Sequence, residues 1–303
     1  MAAQLRLVRR RISSVQSISK ITRAQELIAS SRIVRAQQQQ RAAEPYAREL
    51  TRAVEAVISR STNVTHPFTQ EPENPSRAAV LILTSDQGFA GAYNANVLRE
   101  SGRLRQTLRD RHIQPVLYVA GRKGIGWHRF RELDLAQSWD GFSAAPRYRD
   151  AEVIADLLIE AFNAGADDGG VDEIHLVGTD FVSMLTQRPS VRRLLPLEIE
   201  ETEEESPSGP LPQYEFEPGP AEVLDALMPQ FVAARIYYAM LEAAAAELAS
   251  RRRAMKAATD NANDLLETLT REANNARQAE ITQEISEIVG GANALADASA
   301  TSE

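Results

Sequence analysis

Two long segments almost without glycine or proline lie at the ends of this sequence, and they limit the possible folds more than any other feature. Of the 15 glycines, 13 lie between residues 61 and 220, and so do 12 of the 14 prolines. Because both residues interrupt helices, segments 3–58 and 221–301 are predicted to be long helices. At 1.5 Å per residue they would measure about 85 Å and 120 Å, too long to lie on one compact core.

The apolar residues of the C-terminal segment repeat with a period of seven. One series runs from Leu224 to Ala273 and a companion series from Leu227 to Ala276, which is the spacing of a coiled-coil seam. In the N-terminal segment the same spacing holds for Leu5, Val8, Ile12 and Val15. After a slip of one short step, this seam is expected to continue through Ile18, Ile21, Ala24 and Ile28.

Both helices leave the same middle region, so they are predicted to form an antiparallel two-helix coiled coil within one chain. The alternative is a pair of amphipathic helices that lie on a conventional core. Because the second helix is the longer one, its tip is expected to extend beyond its partner. That tip carries an apolar stripe, which needs a surface from another molecule to bury it: Ile281, Ile285, Ile288 and Val289.

The middle of the chain is predicted to be an α/β domain of the Rossmann-like kind. Apolar runs at 78–86, 113–121 and 172–180 are typical of buried parallel strands, and helical patterns at 92–110 and 151–164 lie between them. This alternation of strands and helices predicts βαβ units on a mostly parallel sheet.

The net charge of −8 is unevenly distributed over the three predicted parts. The N-terminal helix (1–60) carries 12 Lys and Arg against 4 Asp and Glu, the α/β domain (61–220) 15 against 25, and the C-terminal helix (221–303) 7 against 13, which gives +8, −10 and −6. The basic segment is poor in base-stacking side chains, with Tyr46 as its one aromatic residue. A solvated helix face or an acidic protein partner is therefore favoured over nucleic acid.

Several classes of site are disfavoured by the residues present. The chain has no cysteine, and its histidines (His66, His112, His128, His175) lack metal-ligand spacing. The loop "SDQGFAGAYN" resembles a phosphate-cradling turn but has neither G-x-G-x-x-G spacing nor a G-K-[ST]. No carboxylate pair is placed for acid–base chemistry. We therefore expect no metal, no cofactor and no catalytic residue.

Four stretches resemble the gamma subunits of F-type ATP synthases: "ISKITRAQELIASSRI" (18–33), "LTSDQGFAGAYN" (83–94), "AMKAATDNANDL" (254–265) and "ARQAEITQEISEIVGGANAL" (276–295). The resemblance implies that the coiled coil is a rotating shaft inside a hexamer of alpha and beta subunits. It further implies that the α/β domain rests on the membrane ring of c subunits and binds the epsilon subunit. Such a chain is not itself an enzyme, and it couples ring rotation to ATP synthesis or hydrolysis in the hexamer.

The resemblance also implies contact residues. The following residues are expected to touch the hexamer: Arg23, Gln25, Arg251, Arg252, Arg253, Arg277, Gln278, Thr282, Gln283 and Glu287. Arg277 and Gln278 belong to a catch on a beta subunit, and the three consecutive arginines are expected to face an acidic beta-subunit loop. Tyr214 and Glu217 match the foot on the membrane ring. The sequence carries Gln25 where many members of the family have methionine.

The location and two rival functions follow from the same residues. The arginine-rich start is similar to a mitochondrial transit peptide, but the helical pattern begins at Leu5 and continues unbroken, which favours a bacterial protein, peripheral on the cytoplasmic face of the plasma membrane. One rival is a nucleotide-dependent enzyme whose helices only assemble it. The other is a coiled-coil scaffold or nucleic-acid binder that uses the basic segment.

Overall fold

The structure, a computed structural model, describes residues 2–60, 66–197, 217 and 219–300. Its elements, in chain order, are α1 (Ala2–Arg60), β1 (Arg77–Leu83), α2 (Tyr93–Asp110), β2 (Gln114–Ala120), α3 (Arg122–Phe130), β3 (Gln137–Trp139), α4 (Tyr148–Ala164), β4 (Glu173–Phe181), β5 (Gln187–Leu195) and α5 (Pro220–Ala300). The predicted class, an α/β domain with long N- and C-terminal helices, is confirmed.

The chain divides into two compact units. Met1–Ile28 and Arg253–Glu303 form the two-helix unit, and Ala29–Arg252 form the sheet unit. The predicted boundaries at 60 and 220 coincide with the end of α1 and the start of α5. The division into compact units nevertheless cuts both long helices at other points, because much of each helix packs on the sheet.

Both long helices pass through their expected interruptions. α1 continues through Pro45, and α5 continues through Pro229 and the pair Gly290–Gly291. A proline inside a helix removes one backbone hydrogen bond. Packing of the helix against a neighbour offsets that loss.

The sheet has the strand order β3-β2-β1-β4-β5. β1 pairs in parallel with β2 and β4, β2 pairs in parallel with β3, and β5 runs antiparallel to β4 at the edge. The predicted strands are β1, β2 and β4, and their apolar runs reflect burial on both faces. Sequence reasoning missed β5, whose "QRPSVRRLL" mixes cations and a proline in the manner of an edge strand.

Helices cover both faces of this sheet. On one face α4, the second half of α1 and the first half of α5 pack around Leu81, Leu158 and Met228. On the other face α2 and α3 pack around Val80, Val97 and Ile125. α1 and α5 also contact each other in the sheet unit, where Ile33 packs against Leu248. α5 therefore packs against the sheet, and α1 packs against both α5 and the sheet.

In the two-helix unit, α1 and α5 run antiparallel. The Thr22 hydroxyl lies 2.7 Å from the Thr259 hydroxyl, and Ser19 Oγ donates to Asn263 Oδ1 at 2.9 Å. Moving back along α1 therefore corresponds to moving forward along α5. The covered positions of α5 keep the predicted seven-residue period: Met255, Thr259, Ala262, Leu266, Leu269, Ala273 and Ala276.

The predicted slip in α1 is wrong. The seam continues without interruption through Leu5, Val8, Ile12, Val15, Ser19, Thr22 and Glu26. Ile18, Ile21 and Ile28 are exposed instead. The polar side chains are tolerated inside because Thr22 and Ser19 find hydrogen-bond partners across the seam, while Glu26 accepts from Arg23 at 3.2 Å. The apolar residues that sequence reasoning assigned to the seam are thus left on the outside.

This register gives a direct test. Ile21→Ala should change the free energy of unfolding by no more than about 0.5 kcal/mol, because the side chain is 61% exposed. Met255→Ala should cost about 2 to 5 kcal/mol, because Met255 lies in the seam. Urea unfolding of the two variants, followed by circular dichroism, measures both values. If Ile21→Ala lowered the free energy of unfolding as much as Met255→Ala or more, the slipped register would be supported instead.

Candidate functional site

The carboxyl edge of the parallel strands is where a Rossmann-like sheet usually holds a ligand. Here Asp86, which follows β1, occupies that edge. Its carboxylate accepts backbone N–H bonds from Arg122 at 3.1 Å, Gly141 at 3.0 Å and Ser143 at 2.9 Å. Burial acts to raise the pKa of Asp86, but these donors outweigh it and hold the pKa below its ordinary value. The chain's own carboxylate therefore fills the place of an anionic ligand.

Helix α5 also covers this edge. The cavity enclosed between α5 and the ends of β1 and β2 has a volume of about 20 Å³, room for a single water but far less than a nucleotide requires. Its lining combines strand ends, the loop after β3 and α5: Leu83, Thr84, Tyr93, Ala120, Phe142, Ser143, Pro146, Met240 and Ala243. This geometry gives no support to the nucleotide-dependent enzyme.

Two of the three glycines of "GRKGIG" serve close packing. Gly121 has φ +110°, and a Cβ there would lie 2.2 Å from the Thr84 carbonyl oxygen. A Cβ at Gly124 would lie 2.6 Å from Thr84 Oγ1, which accepts the Gly124 N–H at 3.0 Å. These glycines let α3 begin directly against the end of β1, and they need no phosphate to explain them.

Three of the four histidines have side-chain partners inside the protein. His175 Nε2 lies 2.7 Å from Glu173, and His66 Nε2 lies 3.0 Å from Asp225. His128 is buried, with Nδ1 2.8 Å from the Gly124 carbonyl oxygen. Within the described part of the chain, no group of three or more His, Asp or Glu side chains could hold a metal ion.

The most conspicuous surface lies on the two-helix unit. On α1, Leu7, Ile18, Ile21 and Ile28 are exposed and lie within about 80° of one another around the helix. On α5, every side chain from residue 281 to residue 292 is exposed. The tip stripe, defined as Ile281, Ile285, Ile288 and Val289, lies within about 100° around that helix. Contiguous exposed apolar side chains of this kind indicate an interface.

Comparison with known proteins decides the family. The family model described as ATP synthase matches residues 4–295. The ATP synthase gamma chain of Acidothermus cellulolyticus is 63% identical over 97% of this chain and 98% of its own length. That of Thermobifida fusca is 58% identical over the whole of both chains. This chain belongs to the ATP synthase gamma chain family.

Solved structures of ATP synthases contain chains with a similar fold. A rotor chain of the Euglena gracilis mitochondrial ATP synthase has a TM-score of 0.61 at 12% identity and covers 93% of this chain and 100% of its own. A chain of the central stalk and c-ring structure from Tetrahymena thermophila has a TM-score of 0.55 at 21% identity, with 78% and 99% covered. At such identities the likeness concerns the fold alone.

The expected hexamer contacts of this gamma-family chain fall mostly on exposed helix surface. Arg277, Gln278, Thr282, Gln283 and Glu287 are all exposed. Thr282 donates to the Gln278 carbonyl oxygen at 2.9 Å, and Gln283 donates to Glu287 at 2.9 Å. The side chains of Thr282, Gln283 and Glu287 are therefore hydrogen-bonded within the part of α5 that carries the tip stripe.

The remaining expected contacts lie in both units. Gln25 is exposed on α1, and Arg23 is exposed with an ion pair to Glu26 at 3.2 Å. Arg252 is half-buried and belongs to the sheet unit, whereas Arg253 is exposed and belongs to the two-helix unit. Family similarity alone assigns these residues a contact with another subunit.

Arg251 requires a correction. The three consecutive arginines were expected to face outward together, but Arg251 is 5% exposed. Its guanidinium donates to the carbonyl oxygens of Gln87 and Gly88 and lies 2.8 Å from Glu247. Successive residues on a helix point about 100° apart, so three neighbouring arginines cannot share one face. Sequence reasoning missed Glu247, although its position four residues before Arg251 suggests an ion pair.

The expected foot is described only in part. Glu217 is exposed, and Tyr214 lies outside the described residues, as does the acidic segment 198–212. The glycine-rich loop after α4 is tied back to the sheet, because the Asp172 carboxylate accepts the N–H groups of Ser76 at 2.7 Å and Ala166 at 3.2 Å. A search of the described helices found none with the length and apolar character that crossing a membrane requires.

The Asp86 contacts predict an acid-dependent stability. A carboxyl group whose folded pKa lies below its ordinary value of 3.8 stabilises the fold above that value, and the contribution is lost as the pH falls through the folded pKa. Asp86→Asn should therefore lower the free energy of unfolding at pH 7 by about 1 to 3 kcal/mol, and the difference from wild type should shrink below about pH 4.

Denaturant unfolding at pH 7 and at pH 3 measures this difference. Asp140→Asn is the matched control, because Asp140 is half exposed and makes one ion pair with Arg122 at 3.2 Å; it should cost no more than about 0.5 kcal/mol. An Asp86→Asn effect that is equally small, or that does not change with pH, would contradict the proposed role of the carboxylate.

Proposed function

We propose that this chain is the central rotor shaft of an F-type ATP synthase, coupling rotation of the membrane ring to conformational changes in the catalytic hexamer. Its family membership makes it a subunit of ATP synthase, and the catalytic chemistry belongs to the complex. The observation that carries the proposal is the exposed tip stripe on a helix that extends to residue 300. A shaft needs exposed apolar side chains at its end, because other chains bury that end in the complex.

The energetics favour a partner at the tip. Ile288 is 71% exposed, and the other three stripe residues are each about half exposed. Fully burying an exposed aliphatic side chain stabilises a complex by about 1.5 to 3 kcal/mol. Four partly covered side chains would contribute several kcal/mol in total, before the entropy lost on association is subtracted. The stripe thus contributes little to the stability of the free chain and much to the stability of an assembly.

Two antiparallel helices of different sequence present a different surface on each side. On α1 the exterior carries Ile18 and Ile21, whereas on α5 it carries Leu265 and the tip stripe. Inside a ring of alternating alpha and beta subunits, such a shaft makes unlike contacts with each catalytic subunit. Turning it biases which subunit is open and which is closed. Because linkage is reciprocal, nucleotide binding in the hexamer also biases the shaft angle.

Polar side chains beside the tip stripe supply contacts that depend on the shaft angle. Arg277 and Gln278 are proposed as the catch that bonds to a beta-subunit loop, with Thr282, Gln283 and Glu287 in the adjoining helix–hexamer contact. Each is exposed, as such a contact requires. Two further sets of residues are proposed to reach the hexamer: Arg23 and Gln25 on α1, and Arg252 and Arg253 near an acidic beta-subunit loop.

The sheet unit is proposed to meet the membrane side of the rotor. Its partners would be the ring of c subunits, contacted through the foot at Tyr214 and Glu217, and the epsilon subunit. Relatives in the same family come from bacteria, which supports a complex at the plasma membrane. This chain is proposed to be peripheral on the cytoplasmic face of that membrane. Co-purification from detergent-solubilised membranes tests the set of partners: alpha, beta, epsilon and c subunits should accompany the tagged chain.

The tip stripe gives the first test of the shaft. Ile285→Ser combined with Ile288→Ser, or deletion from residue 281 onward, should leave the helices of the free chain folded, because the stripe buries nothing within it. Assembly with the hexamer or coupling in the complex should weaken. Circular dichroism of the free chain and proton pumping per ATP hydrolysed in reconstituted vesicles measure the two effects.

Val153→Ser is the matched control, because Val153 is a half-exposed valine on α4 of the sheet unit. It should alter neither the free chain nor the complex. Collapse of the helices after truncation, or full coupling without the stripe, would count against the shaft.

Arg277 gives a second test. Arg277→Ala should change the stability of the free chain by about 0.5 kcal/mol or less, because the side chain is exposed. In the complex it would remove a charge-assisted hydrogen bond of about 1.5 to 3 kcal/mol that forms at only some shaft angles. ATP turnover should therefore change by roughly tenfold or more, while nucleotide affinity changes little.

Arg271→Ala serves as the control for Arg277→Ala. Arg271 is an exposed arginine on the same helix, 3.7 Å from Glu267. Turnover equal to wild type in the Arg277 variant would remove Arg277 from the functional surface.

A further inference from the structure

The middle of α5 is joined to the loop between β1 and α2 by a buried arginine. Arg251 Nε donates to the Gly88 carbonyl oxygen at 3.2 Å, and a terminal nitrogen donates to the Gln87 carbonyl oxygen at 3.0 Å. Glu247, one turn earlier and 1% exposed, lies 2.8 Å from the same guanidinium as an ion pair. Because a guanidinium is planar and rigid, these three contacts fix the angle of the helix as well as its distance.

The same loop is fixed to the sheet at its other end. Ser85 N donates to Asn94 Oδ1 at 2.9 Å, and Ser85 Oγ donates to the Gln87 carbonyl oxygen at 2.8 Å. The Asp86 carboxylate holds the backbone of the loops that follow β2 and β3. The loop is thus attached to three strand ends on one side and to α5 on the other. Phe89 at its tip has φ 59° and is 81% exposed.

Alanine makes up much of the α5 surface nearby. Five buried alanines occupy this part of the helix: Ala243, Ala244, Ala245, Ala246 and Ala249. Methyl groups pack closely but interdigitate little, so they resist separation of the helix from the sheet more than rotation of the helix about its axis. α5 makes directed contacts with β5 through Arg192 and Glu242 at 2.8 Å and through Ser250 and Gln187 at 3.2 Å. The directed contacts of α5 with the loop between β1 and α2 come from Arg251.

Stability alone does not account for the charged pair. A buried ion pair loses hydration on both groups, and replacing it by apolar residues of similar volume is often neutral or stabilising. Burial acts to raise the pKa of Glu247, with Arg251 opposing that effect. A Leu–Met pair would satisfy the packing at this position. What only the arginine supplies is the pair of directed bonds to the loop carbonyls.

We propose that Arg251 and Glu247 form a joint that fixes α5 against rotation relative to the sheet, so that torque applied to the sheet unit passes into the helix. The use of this joint rests on the proposed function of the chain as a rotor shaft. The existence of the joint does not depend on that proposed function, because the contacts lie within the sheet unit of a single chain. Arg251 is thus a positioning residue and makes no contact with nucleotide.

The decisive variant combines Glu247→Leu with Arg251→Met. It keeps the volume and removes the charges, so the full-length chain should stay folded with a Tm near that of wild type. Hydrogen exchange of the peptide covering residues 85–91 should accelerate by at least about tenfold, because both bonds to the loop carbonyls are lost. Arg251→Lys keeps the charge and can donate to one of the two loop carbonyl oxygens, so hydrogen exchange of residues 85–91 should have an intermediate rate.

The matched control is Leu158→Ala, which removes a fully buried core side chain of α4 in the same unit. It should lower Tm without selective acceleration at residues 85–91. In the assembled complex, the double variant should pump fewer protons per ATP hydrolysed than wild type, with hydrolysis itself maintained. The control, tested at a temperature where it is folded, should pump normally.

The outcomes separate the joint from the function. Wild-type protection of the loop in the folded double variant overturns the joint. An accelerated loop with undiminished coupling overturns its role in passing torque. If the double variant unfolds, the graded response of Arg251→Lys decides, and wild-type loop protection there overturns the joint. Failure of the wild-type chain to assemble with ATP synthase subunits would instead refute the proposed function and leave the joint standing.

Discussion

Helix α5 is the element on which the rest of the structure depends, because one continuous helix must satisfy two different environments. From Leu224 to Ala249 it packs its apolar and alanine side chains against the sheet. From Met255 to Ala276 its covered residues form the seam with α1, and from Ile281 to residue 292 its residues are exposed. At 81 residues the helix is far longer than packing on a small sheet demands. The excess length suits the proposed role of a shaft.

The α/β domain has kept the shape of a ligand-binding fold while its usual ligand site is filled. Asp86 occupies the position of an anion at the carboxyl edge, and α5 covers the ends of β1 and β2 through Met240 and Ala243. The same loop that would cradle a phosphate is bonded to α5 by Arg251. The edge that binds ligands in other doubly wound folds has therefore become an attachment surface for the helix.

Much of this arrangement could be predicted from the sequence, because the strongest signals are long-range patterns. The near absence of glycine and proline predicted the two helices, and uniform apolar runs predicted β1, β2 and β4. The predicted slip failed because sequence reasoning followed the larger apolar residues, Ile18 and Ile21, whereas the seam buries Ser19 and Thr22. A polar seam depends on hydrogen-bond partners 237 and 244 residues away in the sequence, and such pairs have no local signature.

The candidate contact residues could likewise be predicted only in part from the sequence. The tip stripe was visible as a periodic pattern without a partner, and the structure leaves it exposed. Arg251 was grouped with its neighbours because charge is read along the chain, whereas burial depends on which side of the helix meets the loop at Gln87 and Gly88. Asp86 was overlooked because one aspartate after a strand is common, and its three backbone donors come from loops that the fold brings together.

Direct observation of rotation is the most direct test of the proposal that this chain turns as a shaft inside the hexamer. The sequence has no cysteine, so Val153→Cys places a single thiol on exposed α4 for attachment of a bead, with the hexamer immobilised on a surface. On addition of Mg-ATP, the bead should rotate in one direction, with pauses that reflect the three catalytic subunits. Continued ATP hydrolysis by the same complexes while the bead shows only random rotational fluctuation would contradict that proposal.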